Sequence, residues 1–478
     1  MMIIGREPEK TLLNKLYAST EAEFVVVFGR RRVGKTYLIR EYFKHQKCKF
    51  FHTTGLQKGT LKNQLKKFTE NLSETFFDGV PLEVPNNWGD ALALLHKQMS
   101  KSDEKVIVFL DELPWMATRK SGLLQEIDYY WNQYWSMMPN VVFIVCGSSA
   151  SWLISKIINN KGGLHNRVTH QIHLAPFNLA ETREYLKSKA VKLNNHHILS
   201  LYMALGGVPY YLRYVEPGLT AEQNIQQIIF SQNAPLKDEF DKLFESLFEN
   251  ADSYVELVKL IANKKEGMSR ADIQSMSALS TGGGTLSKRL EDLCQTRFIE
   301  EYIPLGRSKG EYYKLIDEYC LFYLHWVEAQ KSKKFTKDYW IDQSQRPSYH
   351  AWSGYAFEAV CMKHINQIIK ILKIPASSSG GWRYIPRKSG ESGAQIDLII
   401  ERKDNAVTLC EIKYTDQPFE INKQYAERLK QKIAIFKKKA NITKQIFLVM
   451  ISAAGIQKTI YSEELVAGVV TLDELFEE

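Results

Sequence analysis

The chain has 478 residues, 44% of them hydrophobic and 24% charged, with a formal net charge of +9. These are the proportions of a soluble globular protein long enough for more than one domain, and the charge permits a nucleic-acid partner without demanding one. No apolar run approaches the roughly 18 to 20 residues of a membrane span, the start MMIIGREPEK lacks the pattern of a signal peptide, and six scattered cysteines without a C-x-x-C pair read as reduced thiols of a cytoplasmic protein.

In chain order, Ile3 to Leu16 reads as a short extended piece followed by a helix. Phe24 to Phe28 is a run of aromatic and β-branched residues, as in a strand, and it ends at Gly29-Arg30-Arg31-Arg32-Val33-Gly34-Lys35-Thr36. This is G-x-x-x-x-G-K-T between a strand and a helix, the context in which the motif cradles phosphates. Gly29 and Gly34 let the backbone curl so that successive N–H groups face one concavity. The helix beginning near Lys35 adds its positive end. Lys35 reaches for the β- and γ-phosphates, and Thr36 offers a hydroxyl to Mg²⁺.

Lys47 to Thr53 reads as a second strand. Gln57 to Leu72 is a basic amphipathic helix, and after a polar loop another helix runs to Met99. Val106 to Glu112, VIVFLDE, is apolar throughout, as expected of a strand covered on both faces, and ends in two carboxylates. Asp111 is placed to hold the Mg²⁺ shell and Glu112 to polarise the attacking water. An aromatic-rich helix spans Leu123 to Trp135. Val141 to Ser149 is a further buried strand with polar residues at its C-terminal end, where open parallel sheets bind ligands. Ser148 or Ser149 is a candidate sensor of the γ-phosphate, or simply a strand-to-helix cap.

Several stretches together resemble the archaeal-type ATPase family of P-loop proteins. They are GRRRVGKT, LDELPW, CGSSASWL, the loop GGLHNR, the strand ending in APF, and GGVPYYL at Gly206 to Leu212. Gly5-Arg6-Glu7 also resembles the adenine-side box of AAA+ and STAND-type ATPases, or is an ordinary helix start. The resemblance implies an α/β P-loop NTPase fold with a parallel sheet and helical lid, binding ATP with Mg²⁺ and acting as an ATP hydrolase. Arg167 would then face the phosphates, in cis or across the interface of a homo-oligomer, where arginine neutralises transition-state charge; the alternative is a surface arginine.

Phe177 to Phe230 has a helical pattern broken at Gly206-Gly207 and Pro209. From Lys237 the reading is three helices (Ser253 to Ala262, Ser269 to Met276, Thr285 to Thr296 after Gly282-Gly283-Gly284) and a hairpin around Gly306 and Gly310, the layout of a winged helix. Ser287, Lys288 and Arg289 would lie on its recognition helix and contact DNA, unless the module serves for packing. Lys331 to Arg346 is polar and basic, as in a linker.

The last part opens with a helix, Ala351 to Leu372, that carries Glu358. A Trp-containing segment then leads to Ala394-Gln-Ile-Asp397 and Val407-Thr-Leu-Cys-Glu411-Ile-Lys413. The order helix Glu, hairpin Asp, Glu-x-Lys resembles the PD-(D/E)XK nuclease core. Glu411 and Lys413 project from one strand face. With Asp397 on the partner strand, Glu411 would form an oxygen-rich Mg²⁺ site. Lys413 would activate water or stabilise phosphate charge, and Glu358 would orient the site or hold a second ion. Gln424 to Lys439 is a basic helix that tracks a phosphate backbone or is a solvated face. Gln445 to Ser452 and Val466 to Thr471 read as closing strands.

The expected organisation is an ATPase core at 1–176, a helical lid at 177–236, a winged helix at 237–330, a linker at 331–346 and a nuclease-like α/β domain of restriction-endonuclease type at 347–478. The working function is ATP turnover controlling nucleic-acid binding or Mg-dependent cleavage, DNA being the expected partner. The rivals are an ATP-dependent switch whose degenerate C-terminal domain binds a partner, and a DNA-binding regulator without cleavage.

Overall fold

The computed structural model describes residues 3–118, 120–159, 162–164, 166–277, 283–302, 310–330, 335–384, 386 and 392–477. Lys161 and His165 of the expected Gly-Gly loop, Gly282, Gly306 and the first part of the expected linker (331–334) lie outside the described residues. The chain divides into two compact units, Met1–Pro176 and Phe177–Glu478. No helix among the described residues is long and apolar enough to cross a membrane.

The first unit is a five-stranded parallel sheet in the order β2-β3-β4-β1-β5. Its strands are β1 (Glu23–Phe28), β2 (Lys49–Thr54), β3 (Val106–Asp111), β4 (Val141–Gly147) and β5 (His170–His173). The three central strands are buried along their whole length. Their side chains alternate between two cores, because successive Cβ atoms leave opposite faces of a strand. Phe24, Val26, Val108, Leu110, Phe143 and Val145 fill one. Val25, Val27, Ile107, Phe109, Val142 and Ile144 fill the other. The continuous apolar runs of the sequence are thus two interleaved faces. The loops after β1, β3 and β4 leave from one edge of this parallel sheet, with β1 hydrogen-bonded to β4 and β4 to β3.

The larger hydrophobic core of the second unit continues from Phe177 to Phe476. Its first part is helical, and Gly207 pins it. The Phe177 N–H donates to the Gly207 carbonyl (2.6 Å), and a Cβ on Gly207 would lie 1.8 Å from the Phe177 carbonyl oxygen. Next come helices Ala251–Ala262, Arg270–Met276 and Gly283–Gln295, with a small antiparallel sheet in the order β6-β8-β7. Its strands are β6 (Met268–Ser269), β7 (Ile299–Tyr302) and β8 (Tyr312–Leu315). On the expected recognition helix, Ser287 accepts a hydrogen bond from Arg270 (2.5 Å), and the Arg289 guanidinium lies over the Tyr254 ring (6.0 Å). Of the three, only Lys288 is exposed.

The stretch expected as a linker is a correction. Helix Tyr339–Ser344 lies within it, and Trp340 is 1% exposed. The Trp340 ring stacks on Phe230 (5.5 Å, 6° between planes), and the Trp340 backbone N–H donates to Gln226 Oε1 (2.6 Å). A polar composition hid one large apolar anchor.

The C-terminal sheet is mixed, in the order β13-β12-β11-β10-β9. Its strands are β9 (Ala376–Tyr384), β10 (Ala394–Arg402), β11 (Ala406–Lys413), β12 (Gln445–Ser452) and β13 (Val466–Thr471). β9, β10 and β11 pair antiparallel, whereas β11, β12 and β13 are parallel. The single helix expected at Ala351 to Leu372 is two, Pro347–Lys363 and Ile365–Leu372, broken at His364. One face of the sheet, with Leu398, Ile400, Cys410 and Ile412, joins the large core. The other, with Ile399, Leu409 and Met450, packs on Leu429 and Phe436 of helix Lys423–Lys439.

Candidate functional site

In the first unit the strand-to-helix turn after β1 requires its glycine. Gly29 has φ +147°, and a Cβ there would lie 2.2 Å from the Leu174 carbonyl oxygen. The Leu174 N–H meanwhile donates to Phe28 (2.8 Å), so that carbonyl has no room to retreat. Arg30 and Val33 are buried, and Arg31 and Arg32 are half-buried. Arg6 reaches back to the turn and donates to the Val33 carbonyl (3.3 Å). Helix Lys35–Phe43 starts at Gly34, which has φ +95°. The Lys35 ammonium lies inside the turn, donating to the carbonyls of Gly29 (2.8 Å) and Arg30 (3.0 Å). The turn therefore holds a cation at its centre, the charge that a phosphate chain would meet.

One residue further, the Thr36 hydroxyl donates to Asp111 Oδ2 (2.8 Å) across from the end of β3. His52, at the end of β2, sits 3.9 Å from the same oxygen. Burial works against the charge of Asp111, but contacts from His52 and Thr36 outweigh it and hold the carboxyl below its ordinary value. An ionised carboxylate beside a hydroxyl is a donor set that fits a small hard cation such as Mg²⁺.

Glu112 follows in the left-handed region, φ 49° and ψ 48°, uncommon for a side chain of its size. Three donor groups fix it there. Its own N–H donates to Asp111 Oδ1 (3.1 Å). Ser148, at the end of β4, gives its N–H to Oε2 (3.1 Å) and its hydroxyl to both carboxylate oxygens (2.7 and 2.8 Å). Lys35, Thr36, Asp111, Glu112 and Ser148 thus gather at one edge of the sheet. Arg167 is exposed in the loop before β5 and outside this hydrogen-bonded group.

The second unit brings Asp397, Glu411 and Lys413 together at the β10–β11 pair. Asp397 sits where the β9–β10 register shifts. Its Oδ2 accepts the Ile412 N–H (3.0 Å). Burial and the nearby Glu411 push its carboxyl up. Glu411 is 4% exposed and fully engaged. Lys413 lies 2.9 Å from Oε1, Lys432 bonds both oxygens (3.0 and 2.9 Å), and the Tyr425 hydroxyl donates to Oε1 (2.6 Å). Burial opposes its charge, but the two lysines hold its carboxyl low all the same. Glu358, half-buried on helix Pro347–Lys363, is pushed up to about 7 by burial and by Asp397.

The two expected Mg²⁺ ligands, Asp397 and Glu411, thus lie on paired strands, with lysines beside Glu411. Among the described residues no three His, Cys, Asp or Glu side chains stand close enough to ligate one ion. Both oxygens of Glu411 are bonded to ammonium groups. Sequence reasoning missed Tyr425 and Lys432 because they read as part of a basic helix. Their i, i+7 spacing on one helix face is the signal that could have found them.

Comparison with known proteins adds the following. Residues 4–215 match an ATPase domain found predominantly in Archaea. Residues 323–429 match a family of archaeal and bacterial proteins of unknown function. An uncharacterized protein of Methanocaldococcus jannaschii is 23% identical over 87% of this chain and 88% of its own length. An uncharacterized ATP-binding protein of the same organism is 35% identical over 10% of this chain and 83% of its own length. Among solved structures, the chain is similar to a Walker-type ATPase of Pyrococcus abyssi, with 18% identity, 68% of this chain and 96% of that one covered, and a TM-score of 0.48. It is also similar to the ORC2 protein of Aeropyrum pernix, with 14% identity, 69% and 95% covered, and a TM-score of 0.46.

Proposed function

Because residues 4–215 match an ATPase domain found predominantly in Archaea, we propose that this protein binds ATP with Mg²⁺ at the Gly29–Thr36 turn, hydrolyses it, and uses the nucleotide state to control its C-terminal domain. The observation that carries the proposal is the junction of Thr36 with Asp111 (2.8 Å), beside the buried Lys35 and the Ser148-held Glu112. Lys35 exchanges its two carbonyl partners for phosphate oxygens, and Thr36 and Asp111 hold the metal. Bound Mg²⁺ would supply charge neutralisation on the phosphates. Glu112 orients water and accepts its proton, held in place by Ser148. Arg167 supplies positive charge to the phosphates, in cis or from a second copy.

The test uses two variants. Lys35→Ala loses tight nucleotide binding, whereas Glu112→Gln keeps it and loses turnover. An unchanged hydrolysis rate in Glu112→Gln removes Glu112 from the catalytic role.

For the C-terminal domain the reading is control of nucleic-acid binding or cleavage. The winged-helix reading of helices Ala251–Ala262, Arg270–Met276 and Gly283–Gln295 with the small sheet, and the basic helix Lys423–Lys439, would supply phosphate contacts. The engagement of Glu411 by two lysines and a tyrosine favours the second reading, an ATP-dependent switch whose C-terminal domain binds a partner without cutting. Divalent-metal-dependent cleavage of DNA by the purified chain, with and without ATP, separates the two.

A further inference from the structure

The second unit holds a pocket of about 480 Å³ that neither the proposed ATP chemistry nor the carboxylate cluster uses. Small-molecule sites usually enclose about 300 to 1,000 Å³. The pocket is built from the helical turns Tyr323–Val327 and Glu328–Gln330 and from helix Tyr339–Ser344. Trp326 and Gln330 line it from the first segment, Tyr339 and Gln343 from the second, and Phe335 and Arg346 from the chain on either side of that helix. Tyr339 and Gln343 are four residues apart on one helix and so share a face. The rings are braced by the core. Phe335 and Tyr339 lie 4.8 Å apart, and each packs on the buried Phe230 (5.0 and 5.1 Å). Trp326 meets the buried Trp340 (5.3 Å) and Trp352 (6.0 Å) edge to face. These walls are therefore fixed before any ligand arrives, which lowers the cost of binding.

The polar groups of the pocket are of two kinds. Gln330 and Gln343 are half-buried amides, each with donors and an acceptor in one plane. Arg346 is exposed and directly precedes helix Pro347–Lys363, whose N-terminal end favours anions. Among the described residues none of these three side chains is hydrogen-bonded or ion-paired within the protein, and the buried Trp326 indole N–H has no acceptor. From this set we propose that the pocket binds a nucleobase that carries a phosphate. The base packs on Trp326, Phe335 and Tyr339, Gln330 and Gln343 bond its edge, and Arg346 takes the phosphate. Aromatic rings stack on any base. Side-chain amides match the donor and acceptor edge of a base, and a guanidinium meets phosphate as a planar fork. An aromatic peptide side chain would fill the apolar part but leave both amides and the arginine without partners, at a cost in affinity. The ligand chemistry is shared by a free mononucleotide and by an unpaired strand, whose splayed bases are read in this way. The inference does not rest on ATP turnover or on cutting, because the pocket contains none of the residues assigned to either.

The experiment is calorimetric titration of the full-length Lys35→Ala chain, so that the turn of the first unit does not compete for nucleotide. The probes are the ribonucleoside 5′-monophosphates, the matching nucleosides, a single-stranded oligonucleotide, and N-acetyltryptophanamide as a peptide mimic. A monophosphate or the oligonucleotide should saturate one site per chain. Arg346→Ala should weaken that ligand by about tenfold or more and leave the nucleoside unchanged, because only the bond to the charged group is lost. Arg346 is exposed, so this variant keeps its fold. Gln343→Leu should weaken nucleotide and nucleoside alike. An oligonucleotide that binds more tightly than every monophosphate identifies an unpaired strand as the source, and equal or weaker binding identifies the free nucleotide; both uphold the proposal. Nucleotide binding that Arg346→Ala and Gln343→Leu leave unchanged lies elsewhere and overturns it. Binding of N-acetyltryptophanamide without any nucleotide assigns the pocket to a peptide and overturns it too, as does the absence of all binding.

Discussion

Ser148→Ala tests the catalytic edge of the first unit. The hydroxyl is 2.7 and 2.8 Å from the two oxygens of Glu112, and the Ser148 N–H adds a third contact at 3.1 Å. The substitution removes the hydroxyl and keeps the N–H. A hydrogen bond to a charged group contributes about 1.5–3 kcal/mol. At about 1.4 kcal/mol per tenfold in rate, its loss from an oriented catalytic base lowers kcat by about tenfold to about a hundredfold. The KM for ATP should change little, because Lys35 and Thr36 are untouched. Steady-state turnover over a range of ATP concentrations separates the two constants. The left-handed backbone of Glu112, φ 49°, makes the effect larger on orientation than on folding, since Asp111 Oδ1 still holds the Glu112 N–H. An unchanged kcat, or one that rises, refutes the role: in the second case Ser148 restrains Glu112 and its loss frees the base.

Three further outcomes follow from other positions. Loss of Arg167 should lower turnover without weakening ATP affinity, and wild-type turnover per chain should rise with protein concentration; a flat rate per chain argues for a monomeric switch. His364 is buried with Nε2 accepting the Leu179 N–H (3.2 Å), so Nδ1 donates to Val360 (2.7 Å) and the ring is neutral. Burial lowers it from 6.5 to about 4; the unfolded chain therefore takes up the proton first, and stability present above pH 6.5 is lost as pH falls through about 4, by about 3 kcal/mol. Melting curves across that range should lose this slope in His364→Gln, and an unchanged slope assigns it elsewhere. Gly207→Ala places a Cβ 1.8 Å from the Phe177 carbonyl oxygen, and should cost at least about 3 kcal/mol in denaturant unfolding; a loss under about 1 kcal/mol shows that the turn can shift.

How much was legible in the sequence depended on the range of the interaction. Gly29, Lys35 and Thr36 are close in sequence and their chemistry is local, so the turn reads directly. Asp111 and Glu112 read as the end of an apolar strand. The partnership of Ser148 with Glu112 joins two strand ends and leaves no local spacing, so Ser148 read as a phosphate sensor. β9 was missed because ASSSGGWRY has the composition of a loop; it forms a strand because β10 offers it a hydrogen-bonding edge. Trp340 was hidden in a basic stretch, and His364 in a helical periodicity that continues past the break. Asp397, Glu411 and Lys413 were expected on paired strands and lie there, but their order along the chain said nothing of Lys432, which comes from helix Lys423–Lys439 to both oxygens of Glu411.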